Sequence, residues 1–326
     1  MKIAFLTEMG FSGPVYRNHT NMRTEFAWMA ALNAVHYPIT HFNGVKDFDV
    51  VFIIFPKGDV SLNAVGSKMV DVPNKYLPLF QEDFVGELKQ HNKKVFFVQE
   101  GPSWFFNEYE IINQFHYNNA IVSSDGIFVH NETDRNFYSG LFDKKTYVMP
   151  TLMIEDLVKD IVPVTEDKTI IGGNFCRWYG GFQSYIVAQE FVNRIYVPSS
   201  HAARQEEFDI EGLTHLPRLE WLDWMKTLSS FKYAVHMMPT VAAGTFSLNC
   251  AYFGIPCIGN EKVDTQRICH PNLSVDVDDV QKAKDLAWTL QRNPEFFKMC
   301  CEEAKYNYTK FAEEEFLKKI NEALNG

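Results

Sequence analysis

The stretch from Phe231 to Ile268, FKYAVHMMPTVAAGTFSLNCAYFGIPCIGNEKVDTQRI, constrains the fold more than any other part of the chain. An apolar run from Tyr233 to Met238 stops at Pro239. A glycine-bearing turn, Ala242 to Gly244, leads into a helical segment from Thr245 to Tyr252, and Gly254 closes it before Ile255 to Gly259 resume as strand. Strand, loop, helix and strand in that order build a parallel sheet, and the loop after such a strand faces whatever the sheet binds. The N–H groups of Gly244, Thr245 and Phe246 have no partner within their own helix, so they would point at an anion such as a diphosphate. A plain βαβ unit with Gly254 as an ordinary C-cap gives the same string without a ligand.

With 326 residues and 46% apolar content, the chain can bury either one large core or two domains. Two fit the pattern better. The longest clean apolar run, Val50 to Phe55, falls far short of the roughly 20 residues of a membrane span. The start, MKIAFLTEMG, shows no charged leader followed by a long apolar stretch, so the expectation is a cytoplasmic protein, in the host cell if phage-encoded. Six cysteines show no C-x-x-C spacing and lie mostly in apolar segments, which suits packed thiols rather than a metal site. A net charge of −10 argues against indiscriminate nucleic-acid binding, although not against a local basic patch. Arg17 and Arg23 flank such a segment, RNHTNMR, after a Gly-Phe-Ser-Gly-Pro turn. They are candidates for touching phosphate in an acceptor, or plain surface arginines.

Before residue 150 the pattern alternates strand and helix: Lys2 to Thr7, Thr24 to Val35 as helix, Val50 to Phe55, Phe80 to His91 as helix, Lys94 to Gln99, Gly126 to His130, Thr133 to Leu141 as helix, Thr146 to Met149. A charged passage from Pro150 to Lys168 reads as a crossing, and the rhythm restarts with Thr169 to Gly173, Tyr185 to Asn193 as helix, Arg194 to Val197 and Trp221 to Ser229 as helix. A helical tail runs from Pro294 to Leu324. The expected architecture is α/β: an acceptor-binding domain at 1–160, a nucleotide-sugar domain at 161–300, and a C-terminal helix at 301–326 packing back on the first. The first βα turn, Thr7 to Pro14, reads TEMGFSGP and lacks G-x-G-x-x-G, and no Walker motif appears, which sets dehydrogenases and kinases aside.

Gly254-Ile255-Pro256-Cys257-Ile258 resembles the Gly-x-Pro ending of the donor-binding half of GT-B glycosyltransferases, whose two Rossmann-like doubly wound domains face each other across a cleft. Four further segments, KVFFVQEGPSWF (Lys94 to Phe105), IGGNFCR (Ile171 to Arg177), SHAARQEEF (Ser200 to Phe208) and DTQRI (Asp264 to Ile268), resemble the phage enzymes that glycosylate 5-hydroxymethylcytosine in DNA. The resemblance implies an inverting enzyme that moves glucose or arabinose from a UDP-sugar to that hydroxyl, with double-stranded DNA as partner. Two other readings stay open: a bacterial transferase for surface polysaccharide, and a non-catalytic nucleotide-sugar-binding protein. The residues present call for no metal ion, while a divalent cation carried by the diphosphate would leave no trace in the sequence.

Glu100 follows a strand at the sheet edge where ligands bind, and a carboxylate there can take a proton from an acceptor hydroxyl; the resemblance implies this role as general base. Glu8 and Asp125 are its rivals. Arg177 follows Gly172 and Gly173, whose missing side chains would let a diphosphate approach, and its guanidinium could clamp two oxygens. A second clamp would come from Arg204 or from Arg267, which stands in DTQRI, read as a turn beyond the strand, although Arg267 and Asp264 could simply pair. Gly173, Asn174, Met238, Gly244, Thr245, Phe246 and Ser247 complete the expected donor contacts. Asn249 stands where the family has a ribose-binding Glu, and its neutral, shorter amide offers a single carbonyl acceptor. Trp104, just past Glu100, is the aromatic candidate for the acceptor site, with Trp178 beside Arg177.

Overall fold

A computed structural model describes residues 1–22, 24–54, 83–92, 94–99, 101–108, 111–149, 151–176, 178–198 and 205–325. One sheet comprises β1 (Ile3–Thr7), β2 (Gly13–Pro14), β3 (Val35–Pro38), β4 (Val50–Ile54), β5 (Lys94–Val98), β6 (Gly126–Val129) and β7 (Thr146–Val148), in the order β2-β3-β1-β4-β5-β6-β7. The other comprises β8 (Glu166–Ile171), β9 (Arg194–Val197), β10 (Leu213–His215), β11 (Phe231–His236), β12 (Cys257–Asn260) and β13 (Ser274–Val275), in the order β10-β9-β8-β11-β12-β13. Among these strands the pairing is parallel throughout, apart from β2 against β3. Both sheets reverse direction of growth once, between β1 and β4 and between β8 and β11, and ligands of doubly wound sheets bind at such points.

The helices are α1 (Thr24–Ala31), α2 (Phe84–His91), α3 (Trp104–Glu108), α4 (Ile111–Ser123), α5 (Glu132–Phe142), α6 (Gly181–Ala188), α7 (Trp221–Leu228), α8 (Thr245–Phe253), α9 (Asp264–Cys269), α10 (Val280–Arg292), α11 (Pro294–Asn307) and α12 (Glu313–Asn325). None is long and apolar enough to cross a membrane.

Register builds the core of the first lobe. Phe5 pairs with Phe52 and Phe52 with Phe96, so three adjacent strands put a ring on the same face, with centroids 4.8 and 5.7 Å apart. Phe128 closes the row at 5.2 Å from Phe96. All of α1 is buried beneath this row. Its apolar sequence is thereby explained as a core helix, with Trp28 against Phe128, His130 and Phe316.

Three expected elements are corrected. The helix from Thr24 stops at Ala31, and Val35–Pro38 is a strand beside β1. Asn33 takes φ +50°, while Ala34 N–H donates to the Met29 carbonyl at 2.9 Å and Asn33 N–H to that of Ala30 at 3.3 Å, a Schellman ending made with Asn in place of Gly. The segment DTQRI is helical rather than a turn. The tail is broken between α11 and α12, where Met153 N–H binds the Phe311 carbonyl at 3.0 Å and Met153 bridges Ala312. There Arg17 joins Asp156 and Glu313, and the Tyr308 hydroxyl donates to Glu155 at 2.9 Å, so the segment around α12 is strapped to the first lobe and the crossover.

Candidate functional site

At the switch point of the second sheet, β8 and β11 end side by side, and their loops carry Gly172 to Asn174 and Met237 to Gly244. A Cβ on Gly172 would lie 2.3 Å from the His236 ring, and one on Gly173 would lie 2.7 Å from Cβ of Tyr179. The two glycines thus let these loops close against each other. Asn174 is fully buried; its Oδ1 accepts from the Cys176 thiol at 3.1 Å, and its Nδ2 has no partner among the described residues.

Gly244 precedes α8 in the left-handed conformation, at φ +72°, and no side chain caps the helix. Two hydroxyls lie close by, yet both bind behind the turn: Ser247 and Thr265 donate to the Gly244 carbonyl at 3.0 and 2.8 Å and lie 2.8 Å from each other. Among the described residues the first-turn amides of α8 are therefore left without a capping oxygen. A Cβ at position 244 would sit 1.8 Å from Thr265 Oγ1. Gly244→Ala is expected to open this turn and weaken UDP binding about tenfold or more, as measured by calorimetry, because strain at positive φ adds to loss of the buried hydroxyl pair. Unchanged affinity in the folded variant would mean that no diphosphate is held there.

Elements of the two lobes meet around this turn. Thr24 Oγ1, on a residue strained at φ +33°, lies 3.5 Å from Thr245 Oγ1. Trp104 and Trp178 approach across the gap with centroids 6.3 Å apart, which brings together the two tryptophans expected near the site. Glu132 N–H donates to Asp264 Oδ2 at 3.3 Å.

Several expected residues have other partners. Asn249 is buried and its amide, oriented to satisfy both neighbours, accepts from Trp224 Nε1 at 3.1 Å and donates to the Thr245 carbonyl at 3.3 Å. It joins α8 to α7 rather than presenting an acceptor to a ribose. Ser247 is spent on the turn. Arg267 pairs with Asp264 at 3.1 Å and lines a separate groove of about 930 Å³ beside β7, with Arg135, Lys310 and Lys319. Arg17 is likewise committed to Asp156 and Glu313 instead of an open acceptor loop. Asp125 accepts the Val95 N–H at 2.8 Å and an ion pair from Lys89, at the edge of the sheet where β5 begins, which removes it as a base facing the cleft. Met238 is buried and its carbonyl accepts from Asn260 Nδ2 at 2.8 Å. Phe246 packs edge-on to His236, centroids 4.9 Å apart. Glu100, Arg177, Arg204 and Arg23 lie outside the described residues.

Sequence reasoning missed His236, Thr265, Trp224 and Asp134. His236 packs between Gly172 and Phe246, and burial alone lowers its pKa to about 4. Burial likewise lowers His270 to about 4, partly opposed by its bond to the Ser247 carbonyl, and His36 to about 4, with the charge of His19 adding a little. A histidine depressed in the fold contributes stability above its unfolded pKa near 6.5 that is lost as pH falls toward the folded value. Each loss is on the order of 3 kcal/mol. Asp134 works the other way, being raised to about 6, first by burial. Three groups outweigh one, so urea unfolding is expected to show stability falling between pH 6.5 and 4; a flat profile would contradict the buried neutral imidazoles. Among the described residues, no group of three or more His, Cys, Asp or Glu is placed to hold a metal ion.

No protein-family model matches the chain, and no curated protein sequence matches it. Solved structures do match its fold. Sucrose-phosphate synthase from Thermosynechococcus elongatus aligns over 100% of this chain and 98% of its own at 11% identity, with a TM-score of 0.66. An alpha-glucosyltransferase in complex with UDP and a 13-mer DNA containing an HMU base aligns over 100% of this chain and 98% of its own, at 11% identity and a TM-score of 0.65. TarM from S. aureus aligns over 85% of this chain at 12% identity with a TM-score of 0.59, and the chain spans only 55% of TarM. The fold is therefore GT-B, with two Rossmann-like lobes facing across a cleft.

Proposed function

We propose that the chain is a glycosyltransferase that moves glucose or arabinose from a UDP-sugar to the hydroxyl of 5-hydroxymethylcytosine in DNA. The observation that carries this reading is the uncapped start of α8 behind Gly244, in the loop that follows β11 at the switch point of the second sheet. Amides held there by buried hydroxyls suit the diphosphate of the donor and the leaving nucleotide, since charge on the departing phosphate grows in the transition state. Arg177 adds a clamp, and Glu100 takes the proton of the acceptor hydroxyl in a single displacement. Thr245 and the loop amides are left to hold the nucleoside, because Asn249 is turned to Trp224.

The DNA acceptor draws support from the glucosyltransferase whose structure holds UDP and DNA. Against a membrane-facing surface-polysaccharide enzyme stands the complete burial of the apolar helix α1, which leaves it no face for a membrane. Incubation with labelled UDP-glucose and UDP-arabinose, and with duplexes containing either cytosine or 5-hydroxymethylcytosine, is expected to label the modified duplex alone. Label appearing on a lipid or glycan instead would replace the acceptor. A second stereochemical reading is favoured by the name alpha-glucosyltransferase, which describes an α-linked product. Glucose is α-linked in UDP-glucose, so an α product means retention and a β product means the inversion proposed here; the anomeric coupling constant in the product decides.

A further inference from the structure

Asp134 stands in the first turn of α5, yet it does not cap that helix. Asn131 does so, its Oδ1 accepting the Asp134 N–H at 2.8 Å. The Asp134 carboxylate, 1% exposed, is turned elsewhere: Oδ2 accepts from Asn131 Nδ2 at 2.7 Å and Oδ1 accepts the backbone N–H of Ser103 at 3.2 Å. Ser103 belongs to the link between β5 and α3, in which Gly101 has φ +125°. In sequence Glu100 precedes Gly101, and the link ends at Trp104, which meets Trp178 of the opposite lobe.

We propose that Asp134 is a positioning residue that fixes the Gly101–Trp104 segment through the Ser103 amide and so sets the place of the acceptor-facing groups; its effect on transfer rests on the glycosyltransferase reading. Among the described residues no cation neutralises the carboxylate. Arg135 is paired with Glu132 at 2.6 Å and Arg267 with Asp264 at 3.1 Å. Asp264 faces it from the second lobe as a like charge, and the Tyr138 hydroxyl, on its own helix, is neutral with its pKa held well above the ordinary value. A buried carboxylate in such surroundings weakens the fold at neutral pH, where a neutral side chain of the same size would not. Its pKa of about 6 reflects burial first, opposed by the bonds from Asn131 and Ser103. Perturbed acids of this kind concentrate where a group is kept for what it does rather than for stability.

The test compares the whole protein with Asp134→Asn and, from the other end of the bond, Ser103→Pro. Proline at a helix start is tolerated but carries neither the N–H nor the hydroxyl that Ser103 turns to Asp134, so it deletes both bonds and leaves Asp134 in place. In both variants amide exchange within residues 101–108 should quicken about tenfold or more, as for loss of charge-assisted hydrogen bonding, with exchange in the second lobe unchanged. Transfer should show kcat reduced about tenfold with donor KM unaltered, and the fall in wild-type kcat as pH drops through about 6 should vanish in Asp134→Asn. Unchanged exchange at 101–108 in either folded variant overturns the proposal, as does a rise in donor KM with kcat preserved. If the wild type moves no sugar from any UDP donor, the functional reading fails, while the exchange measurement still decides what Asp134 holds.

Discussion

Glu100→Gln is expected to lower sugar transfer by about 10²- to 10⁴-fold while UDP affinity stays as it is. The substitution keeps the length and most of the shape of the side chain and removes its capacity to accept a proton, so only the chemical step should suffer. The strand before it, β5, pairs with β4 and β6 and ends at Val98 on the ligand edge of the first sheet, while Glu100 itself lies outside the described residues. The amides of α8 and the Gly172–Asn174 loop lie on the other lobe, and donor binding should not depend on the missing charge. Single-turnover transfer and calorimetric titration with UDP separate the two quantities. A variant that transfers at the wild-type rate removes Glu100 as base, and an α-linked wild-type product would explain why.

Gly180→Ala is expected to cost about 3 kcal/mol or more of stability and to abolish donor binding at room temperature. Gly180 has φ +60°, and a methyl group on it would lie 2.0 Å from the Met237 carbonyl oxygen and 2.9 Å from Pro239 Cδ. That oxygen cannot step aside cheaply. Met237 N–H donates to Ser184 Oγ at 2.9 Å, and the same hydroxyl donates to the Gly180 carbonyl at 2.9 Å, which locks the start of α6 to the end of β11. Gly140→Ala supplies the control: it is exposed in α5 with nothing within 4 Å of the added carbon, and alanine there should be neutral or stabilising by up to about 1 kcal/mol. Urea titrations of the two variants give the comparison. Equal stabilities would mean that the α6 start and the β11 end are not joined this closely.

Much of the fold follows from local pattern. The runs VVFII and KVFFV are too short for helices and too continuous for exposed strands, and both are parallel strands covered on two faces. The segment from Phe231 to Asn260 forms strand, loop, helix and strand because its breaks fall at Pro239, Gly244 and Gly254, residues whose backbone preferences act without help from distant parts. What was not legible depends on partners far away in sequence. β3 was hidden because Asn33 rather than a glycine ends α1. The inward turn of Asn249 depends on Trp224, and the open start of α8 depends on Thr265 taking up the Gly244 carbonyl. Asp134 gave no signal at all, since an acid in a first helical turn is ordinary and only the Ser103 amide marks this one.

The strap at α12 bears on how the protein comes into being. Phe316, Ile320 and Leu324 belong to the same apolar cluster as Phe5, Phe52 and Trp28, and Lys94 Nζ donates to the Leu324 carbonyl. During synthesis the strands of the first lobe emerge long before these residues do. Until then α1 must wait beneath a roof that is missing its last beam, and a nascent chain stopped before Phe316 should be the form that chaperones hold and proteases find first.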